Sequence, residues 1–282
     1  MNMLFQKKRT NELDNKIITL YSQMKSIKKV SKKLSYSTTL VTSALIDNGI
    51  KLNPYGRNNL NKYFLNRNFF ETIDTEEKAY WLGFITADGY VNHTGLLGIG
   101  LNQKDYKHLE KFLVSINSNY KVRFRDVGKY KKSEIYLFSK KLITDLQKLG
   151  IYRAKSLNSK PCTQVPENLL RHYWRGLVDG DGCIYINRNE KNSLKCVVSL
   201  CGTYEICKGF KDFIIKNKII SKANILNCKS IHTISFGGAR LTQKIITILY
   251  KDAQVYLNRK KILAEEILRY KFQRGERVIS CQ

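Results

Sequence analysis

Residues 79–90 read AYWLGFITADGY, and residues 173–184 read YWRGLVDGDGCI. In each stretch a Trp is followed two positions later by Gly and seven positions later by Asp, and a second Gly follows that Asp. The two aspartates, Asp88 and Asp181, are 93 residues apart. A period of that length is too long for a solenoid repeat and indicates a duplicated half-domain.

Small residues form a stripe along each phrase if it is a helix. Gly83 and Ala87 then share one face, and Gly176 and Gly180 share the corresponding face of the second copy. Small residues at positions i and i+4 let two helix backbones approach closely. The two copies are therefore predicted to pack against each other about a pseudo-two-fold axis, with the following glycines ending the helices as C′ residues.

This packing places Asp88 and Asp181 close together at two helix C-termini. The helix dipole and the neighbouring carboxylate both disfavour an anion there. A hard cation removes the conflict, and carboxylates with main-chain carbonyls are the oxygen ligands that Mg²⁺ takes. An Asp that merely caps a turn would explain one copy, but the repeated placement favours a metal site.

The stretches that follow each phrase have the same plan, so each half is predicted to be α-β-β-α-β-β-α. We expect an α+β fold in which each half contributes an antiparallel sheet. The predicted strands and helices after the first phrase are 95–103, 105–116, 121–127, 133–139 and 140–150, and those after the second are 194–202, 204–217, 222–228, 231–237 and 239–250.

Period-two alternation predicts polar faces on these sheets. Lys121, Arg123 and Arg125 alternate with apolar residues, so three cations share one face. Arginine and asparagine on such a face can bind the edges of guanine and adenine, although an ordinary solvated face would show the same alternation. The further candidates for contact with DNA are Tyr185, Asn187, Arg188, Lys195, Asn92 and Asn102.

Residues 1–52 are predicted to form a separate helix-turn-helix domain. Two helices at 26–34 and 38–49 are joined by a tight turn, and the second is rich in Thr and Ser. Residues 1–70 carry 13 Lys and Arg against 3 acids, which favours DNA over a helical bundle without a ligand. The residues expected to approach base edges are Thr38, Thr39, Thr42 and Ser43, and residues 53–74 are predicted to be a basic linker.

The net charge of +27 indicates a polyanionic partner, of which nucleic acid is the commonest. Seven cysteines without a C-x-x-C pair favour buried free thiols in a reducing compartment. The chain shows no apolar run of membrane-spanning length and no secretory signal. We therefore expect no membrane partner and a location in the cytoplasm or nucleoid of a bacterial or phage host, or in an organelle.

The two phrases resemble the motif of the LAGLIDADG homing endonucleases, at residues 81–89 and 174–182. Residues 256–261, YLNRKK, are also similar to this family, and the resemblance covers about residues 70–270. It implies two halves, 75–160 and 161–282, whose sheets form a saddle over the DNA duplex. It also implies cleavage of both strands across the minor groove, which leaves 3′ overhangs.

The resemblance implies that Mg²⁺, for which Mn²⁺ can substitute, is held by Asp88 and Asp181, with the carbonyls of Ala87 and Gly180 as further ligands. Lys155 and Lys260 follow the last helix of each half and are candidates for stabilising charge at the scissile phosphates. Thr86 departs from the family pattern, in which Asp is frequent at that position. The four histidines show no metal-ligand spacing, and we assign them no catalytic role.

Two functions remain open from the sequence. The first is a site-specific, Mg²⁺-dependent double-stranded DNA endonuclease of the intron-homing type, which would act as a monomer because both halves lie in one chain. The second is a relative that binds DNA or intron RNA without cutting, as a transcription regulator or an intron maturase. Retention of both motif aspartates favours the first. The sequence leaves open the target site and whether the gene lies in an intron or stands alone.

Overall fold

The computed structural model describes residues 10–50, 52, 63–153, 158–188, 194–228 and 230–271. The chain forms two compact units, Met1–Tyr63 and Phe64–Gln282. Within the described residues, no helix combines the length and the apolar character needed to cross a membrane.

In the described part of the first unit, three helices are present, α1 (Asn11–Met24), α2 (Ile27–Leu34) and α3 (Thr38–Asp47). Each begins after a Thr or Ser whose side-chain oxygen accepts a main-chain N–H of the first turn, which satisfies one of the free donors there. The core of this unit consists of Ile17, Tyr21, Ile27, Val30, Val41, Ala44 and Leu45. The predicted helices are therefore present, while their assignment to DNA recognition stays a prediction.

The first half of the second unit begins with the first motif helix, and its α-helices and strands follow the predicted order within the described residues. They are α4 (Glu76–Asp88), β1 (Gly89–Val91), β2 (Leu96–Asn102), α5 (Tyr106–Ser115), β3 (Arg123–Val127), β4 (Tyr130–Phe138) and α6 (Lys140–Lys148). The four strands form an antiparallel sheet in the order β1-β2-β4-β3.

The second half repeats this order. Its elements are α7 (Leu170–Asp181), β5 (Gly182–Arg188), β6 (Leu194–Gly202), α8 (Tyr204–Lys216), β7 (Ile225–Cys228), β8 (Ile231–Gly237) and α9 (Ala239–Tyr250). The sheet is antiparallel in the equivalent order β5-β6-β8-β7. A further helix, α10 (Asn258–Arg269), follows and is absent from the predicted plan. The predicted α+β fold with two α-β-β-α-β-β-α halves is confirmed.

One face of each sheet is buried and the other is not. Leu97, Ile99, Ile135 and Leu137 line the buried face of the first sheet, in a core that both halves share. The opposite face, called here outer face 1, carries Tyr90, Gly98, Tyr136, Gly100, Glu134, Arg123, Asn102, Lys132 and Arg125. The corresponding outer face 2 carries Cys183, Ser199, Ser235, Tyr185, Val197, Asn187, Lys195, Cys201, Thr233, Leu226, Cys228 and Ile231.

One local feature differs from the sequence analysis. Gly89 and Gly182 are not left-handed C′ residues, because their φ angles are −82° and −93° and they start the next strands. Their requirement is steric, since a Cβ on Gly182 would lie 2.5 Å from the Val178 carbonyl oxygen and 2.8 Å from that of Ser199. Phe69 and Phe70, near which the predicted linker was expected to become ordered, are buried in the core of the second unit.

Candidate active site

The two motif helices, α4 and α7, pack against each other through their glycines. A Cβ on Gly83 would overlap the Tyr173 carbonyl oxygen, and a Cβ on Gly176 would overlap that of Tyr80 and lie 2.7 Å from the Phe84 nitrogen. Only residues without a Cβ permit this separation between the two backbones. The predicted small-residue stripe is therefore the contact between the two halves.

This packing brings the C-terminal ends of the two motif helices together. Gly180 lies against the first motif helix, where a Cβ would overlap Ala87 and lie 3.2 Å from Asp88 Oδ2. Asp181 follows Gly180 directly and is exposed, while Asp88 is half-buried. Asp181 also lines a cavity of about 240 Å³ together with Thr86 and Ala87 of the other motif. The carboxyl groups of both motifs thus belong to one region of the surface.

A buried lysine offsets the negative end of α7 beneath Asp181. Lys260 Nζ donates hydrogen bonds to the carbonyl oxygens of Val178 at 2.6 Å, Asp179 at 2.8 Å and Gly182 at 2.6 Å. An ammonium has three hydrogens, so these bonds use all of them. Burial lowers the pKa of Lys260 to about 8, against the opposing effect of Asp179. Direct contact with a scissile phosphate, as the sequence predicts, would require these bonds to break.

Asp179 is a second buried charge in α7. Its carboxylate accepts hydrogen bonds from the Tyr80 hydroxyl at 2.7 Å, the Tyr250 hydroxyl at 2.5 Å and the Leu257 N–H at 2.7 Å. Burial raises the pKa of this carboxyl, and the three hydrogen bonds and the charge of Lys260 oppose that rise. In the first motif the corresponding Thr86 donates to the Leu82 carbonyl instead. Asp179 therefore ties α4, α9 and the segment before α10 together.

The start of α4 is joined to α7 by an ion pair between the half-buried Glu76 and the buried Arg175. Arg175 Nη2 lies 2.7 Å from Glu76 Oε1, and the guanidinium also donates to the carbonyls of Leu249 and Val255. Its Nη1 lies 3.0 Å from His172 Nδ1. Burial and the charge of Arg175 lower the pKa of His172 to about 4, so this histidine is neutral at pH 7. The network fixes the start of α4 against α7.

The acidic side chains at the ends of the motif helices are Asp88 and Asp181. Among the described residues, no group of three or more His, Cys, Asp or Glu side chains is placed to hold a metal ion. Mg²⁺ is usually bound by one or two carboxylates and takes its remaining ligands from water and substrate phosphates. A half-buried Asp88 beside the exposed Asp181 fits that pattern.

Outer face 1 places the predicted cations together. In the register of the sheet, Arg123 is paired with Glu134 and Arg125 with Lys132. The Arg123 guanidinium lies 5.4 Å from the ring centre of Tyr136, whose hydroxyl donates to Glu134 Oε2 at 2.6 Å. This hydrogen bond and burial raise the pKa of Tyr136. Lys121 is exposed just before β3 begins.

Outer face 2 is less charged than outer face 1. Tyr185, Asn187 and Lys195 are exposed, as a contact with a ligand requires. Cys183 and Cys228 are also exposed, which corrects the expectation of buried thiols for these two residues. The side chain of Arg188 and all of Lys155 lie outside the described residues.

The asparagines expected on the first sheet have local partners. Asn92 Oδ1 accepts hydrogen bonds from the main-chain N–H groups of Thr94 and Leu96 and closes the β1–β2 turn. Asn102 Oδ1 accepts the Lys104 N–H. Both side-chain oxygens therefore stabilise turns, and contact of these asparagines with DNA stays a prediction.

In the first unit, the predicted recognition residues share one side of α3. Thr38, Thr39 and Ser43 are exposed, and Thr42 is half-buried with its hydroxyl donating to the Thr38 carbonyl at 2.7 Å. They line a shallow depression with Ile46 and Asp47.

The buried partners of the motif helices escaped the sequence analysis. Tyr80, Tyr250 and Glu76 read as ordinary core or surface residues, because their partners lie 99, 71 and 99 positions away. The available signal was the pair of charged residues inside the second motif, Arg175 and Asp179. Charges within a helix that packs on another helix require buried counter-groups.

Comparison with known proteins gives similarity of fold. No family model matches the chain, and no curated protein matches it. Similar solved structures include the LAGLIDADG meganuclease I-AabMI bound to uncleaved DNA, at 12% identity and a TM-score of 0.45, with 67% of this chain and 88% of that chain covered. Meganuclease I-SmaMI bound to uncleaveable DNA gives 12% identity, a TM-score of 0.47 and coverages of 67% and 87%. The LAGLIDADG homing endonuclease I-GzeII in complex with a DNA target is 11% identical, with a TM-score of 0.45. The match covers 67% of this chain and 90% of that chain.

Proposed function

We propose that the chain is a site-specific endonuclease that hydrolyses phosphodiester bonds in double-stranded DNA, with Mg²⁺ bound between Asp88 and Asp181. The observation that carries this proposal is the contact of Gly180 with Ala87 and Asp88, which joins the ends of the two motif helices. Two carboxylates in one surface region, on a chain of net charge +27, suit a metal-assisted reaction on a polyanion.

In this proposal each residue of the site has its own role. Asp88 and Asp181 bind the metal, and the carbonyls of Ala87 and Gly180 are available as further ligands. When bound, Mg²⁺ supplies an acidified water and stabilises charge on the leaving 3′ oxygen. Lys260 holds the main chain on both sides of Asp181 through its bonds to Asp179 and Gly182. Outer faces 1 and 2 bind the duplex, and the side chains along them select its sequence.

A plasmid-cleavage assay tests this function. The purified chain is incubated with a plasmid that carries the uninterrupted insertion locus of its gene, in Mg²⁺, in Ca²⁺ or in EDTA. We expect double-strand cleavage at one site in Mg²⁺ and none in Ca²⁺ or EDTA. Specific binding without cleavage in Mg²⁺ would instead indicate the DNA-binding alternative.

In this proposal, α2 and α3 are a helix-turn-helix that lengthens the recognised sequence. The exposed lysines of α2 (Lys28, Lys29, Lys32 and Lys33) would bind phosphates, while Thr38, Thr39, Thr42 and Ser43 approach bases. Removal of residues 1–63 tests this assignment, because the second unit begins at Phe64. We expect the shortened chain to fold and cut with weaker binding and relaxed selectivity. Unchanged affinity and selectivity would contradict it.

A further inference from the structure

Residues 254–261, called here the bridging segment, lead from α9 into α10 and contact both halves of the second unit. The main-chain N–H groups of its first two residues donate hydrogen bonds to Glu76 Oε1 at 2.8 and 3.3 Å. Near its other end, Lys260 donates to main-chain carbonyl oxygens on both sides of Asp181. The bridging segment is therefore bonded to α4 of the first half and to the end of α7 in the second.

Lys111 of α5, in the first half, holds the middle of the bridging segment. Its Nζ donates hydrogen bonds to the Tyr256 carbonyl oxygen at 3.1 Å and to Asn258 Oδ1 at 2.8 Å. The ammonium also lies 4.7 Å from the centre of the Tyr256 ring, within the range of a cation–π contact. Burial lowers the pKa of Lys111, and the charge of Asp179 opposes that change. One side chain of the first half thus binds two residues of the segment.

A second contact with the first half lies beside this one. Asp105, directly before α5, accepts a hydrogen bond from Arg259 Nε at 2.9 Å. The Arg259 side chain is 57% exposed, so this ion pair by itself contributes little. Asn258 and Arg259 are the two residues before Lys260, and both are bonded to the first half. Of the two contacts, that of Lys111 is the better shielded from water and carries the larger share of the restraint.

The position equivalent to Lys111 in the second half is a glycine. Phe112 of α5 and Phe210 of α8 are equivalent, because each ring packs on the tryptophan of its own motif, with ring centres 4.9 and 5.4 Å apart. The residues before them are Lys111 and Gly209. A Cβ on Gly209 would lie 2.5 Å from Pro161 Cγ, so a longer side chain would require the packed chain to move. The lysine support is therefore specific to the bridging segment.

We propose that Lys111 is a positioning residue for cleavage of one DNA strand, because it fixes the segment from which Lys260 holds the main chain at Asp181. This inference rests on the proposed function, in which Asp88 and Asp181 belong to two equivalent halves. Each carboxylate is then the nearer one to a different scissile phosphate. Loss of the Lys111 contacts loosens Lys260 and with it Asp181, so the cut on one strand slows while the cut that depends on Asp88 continues.

Single-turnover cleavage of a plasmid that carries the insertion locus, followed by mapping of the nicked strand, tests the inference with the full chain. We expect Lys111→Met to slow one strand about tenfold or more and the other by less than about twofold, because a small misplacement of a catalytic group is costly. Nicked circles should therefore accumulate. Lys111→Arg should restore most of the rate, since a guanidinium can donate to both oxygen acceptors.

Two further variants make the test specific. The exposed Lys107→Met, one turn earlier on α5, removes the same charge and should leave the rates of both strands unchanged. Asn258→Ala removes one acceptor and leaves Lys111 in place, so it should show a smaller bias toward the same nicked strand. It decides the question if thermal melting shows that Lys111→Met does not fold.

The outcomes separate the inference from the proposed function. Equal slowing of both strands in Lys111→Met and Asn258→Ala would overturn the inference alone, because a general loss of stability or of DNA binding affects both cuts. Unchanged rates in both variants would overturn it as well. Absence of cleavage by the unaltered chain would overturn the proposed function and, with it, the inference. A gel-shift titration of each variant measures DNA binding separately from the cleavage rates.

Discussion

Gly83 and Gly176 face each other across the two motif helices. A Cβ on either residue would overlap main-chain atoms of the other helix. The contact joins halves that are far apart in sequence. It is therefore both the centre of the fold and the element that sets the relative position of Asp88 and Asp181.

Gly176→Ala should destabilise the second unit by about 3 kcal/mol or more, since the overlap is with main-chain atoms that cannot move independently. Chemical denaturation measures the change. Gly100→Ala is the matched control, because the atom nearest to the added Cβ would be Glu134 Cγ at 3.6 Å, an ordinary contact distance. Equal midpoints for the two variants would mean that the helices separate more easily than the structure indicates.

Asp88→Asn and Asp181→Asn should each reduce cleavage roughly 100-fold or more, because a neutral amide binds Mg²⁺ weakly. DNA binding should persist, since each change removes a negative charge near the phosphates. Single-turnover cleavage and a gel-shift titration measure the two effects separately. Asp212→Asn, an exposed acid paired with Lys208, serves as the control and should cut normally. Full cleavage by either motif variant would exclude the metal assignment.

Lys260→Met should lower the free energy of unfolding by about 3 kcal/mol, because three carbonyl oxygens lose their donor in a buried site. The exposed Lys244→Met provides the comparison, and we expect it to change stability little. Equal free energies of unfolding for the two variants would contradict this prediction. They would mean that the carbonyls of Val178, Asp179 and Gly182 do not depend on Lys260 as their donor.

Stability should fall as the pH is lowered from 6.5 to 5. Burial lowers the pKa of His108 to about 3, and burial with the Arg175 charge lowers that of His172 to about 4. Both pKa values lie below the pKa of a histidine in the unfolded chain. The unfolded chain therefore binds more protons in this window, and the folded state loses stability relative to it as the pH drops. Each histidine contributes a slope of about 1.4 kcal/mol per pH unit. Urea denaturation at several pH values measures it.

His108→Phe should remove about half of that slope, and the exposed His93→Gln should leave it unchanged. A flat dependence between pH 6.5 and 5 in the unaltered chain would show that the two buried rings take up protons without loss of the fold.

The sequence predicts the features that depend on local patterns. The repeated phrase is sufficient to identify the two halves, and period-two alternation places Arg123 and Arg125 on one face of β3, as the register shows. The start of α3 follows from the capping residue Ser37, whose role is determined within one turn.

Features that depend on distant partners were not predictable in the same way. The position of Lys260 in the sequence suggests a solvated lysine near the phosphates, but the packing of α10 turns its ammonium toward carbonyls 78 to 82 residues earlier. The requirement for glycine at position 182 is also non-local, because the Ser199 carbonyl that excludes a Cβ there belongs to another strand. Such constraints exist only once the tertiary structure has formed.

The ion pair of Arg175 with Glu76 has a consequence for dissection of the chain. The guanidinium comes from the second half and is fully buried, while its carboxylate partner comes from the first. A fragment that contained α7 without α4 would lose this carboxylate partner and would expose the face of α7 that packs against α4. Neither half is an independent module: engineers who wish to recombine halves from different chains must transfer this salt bridge together with the glycines.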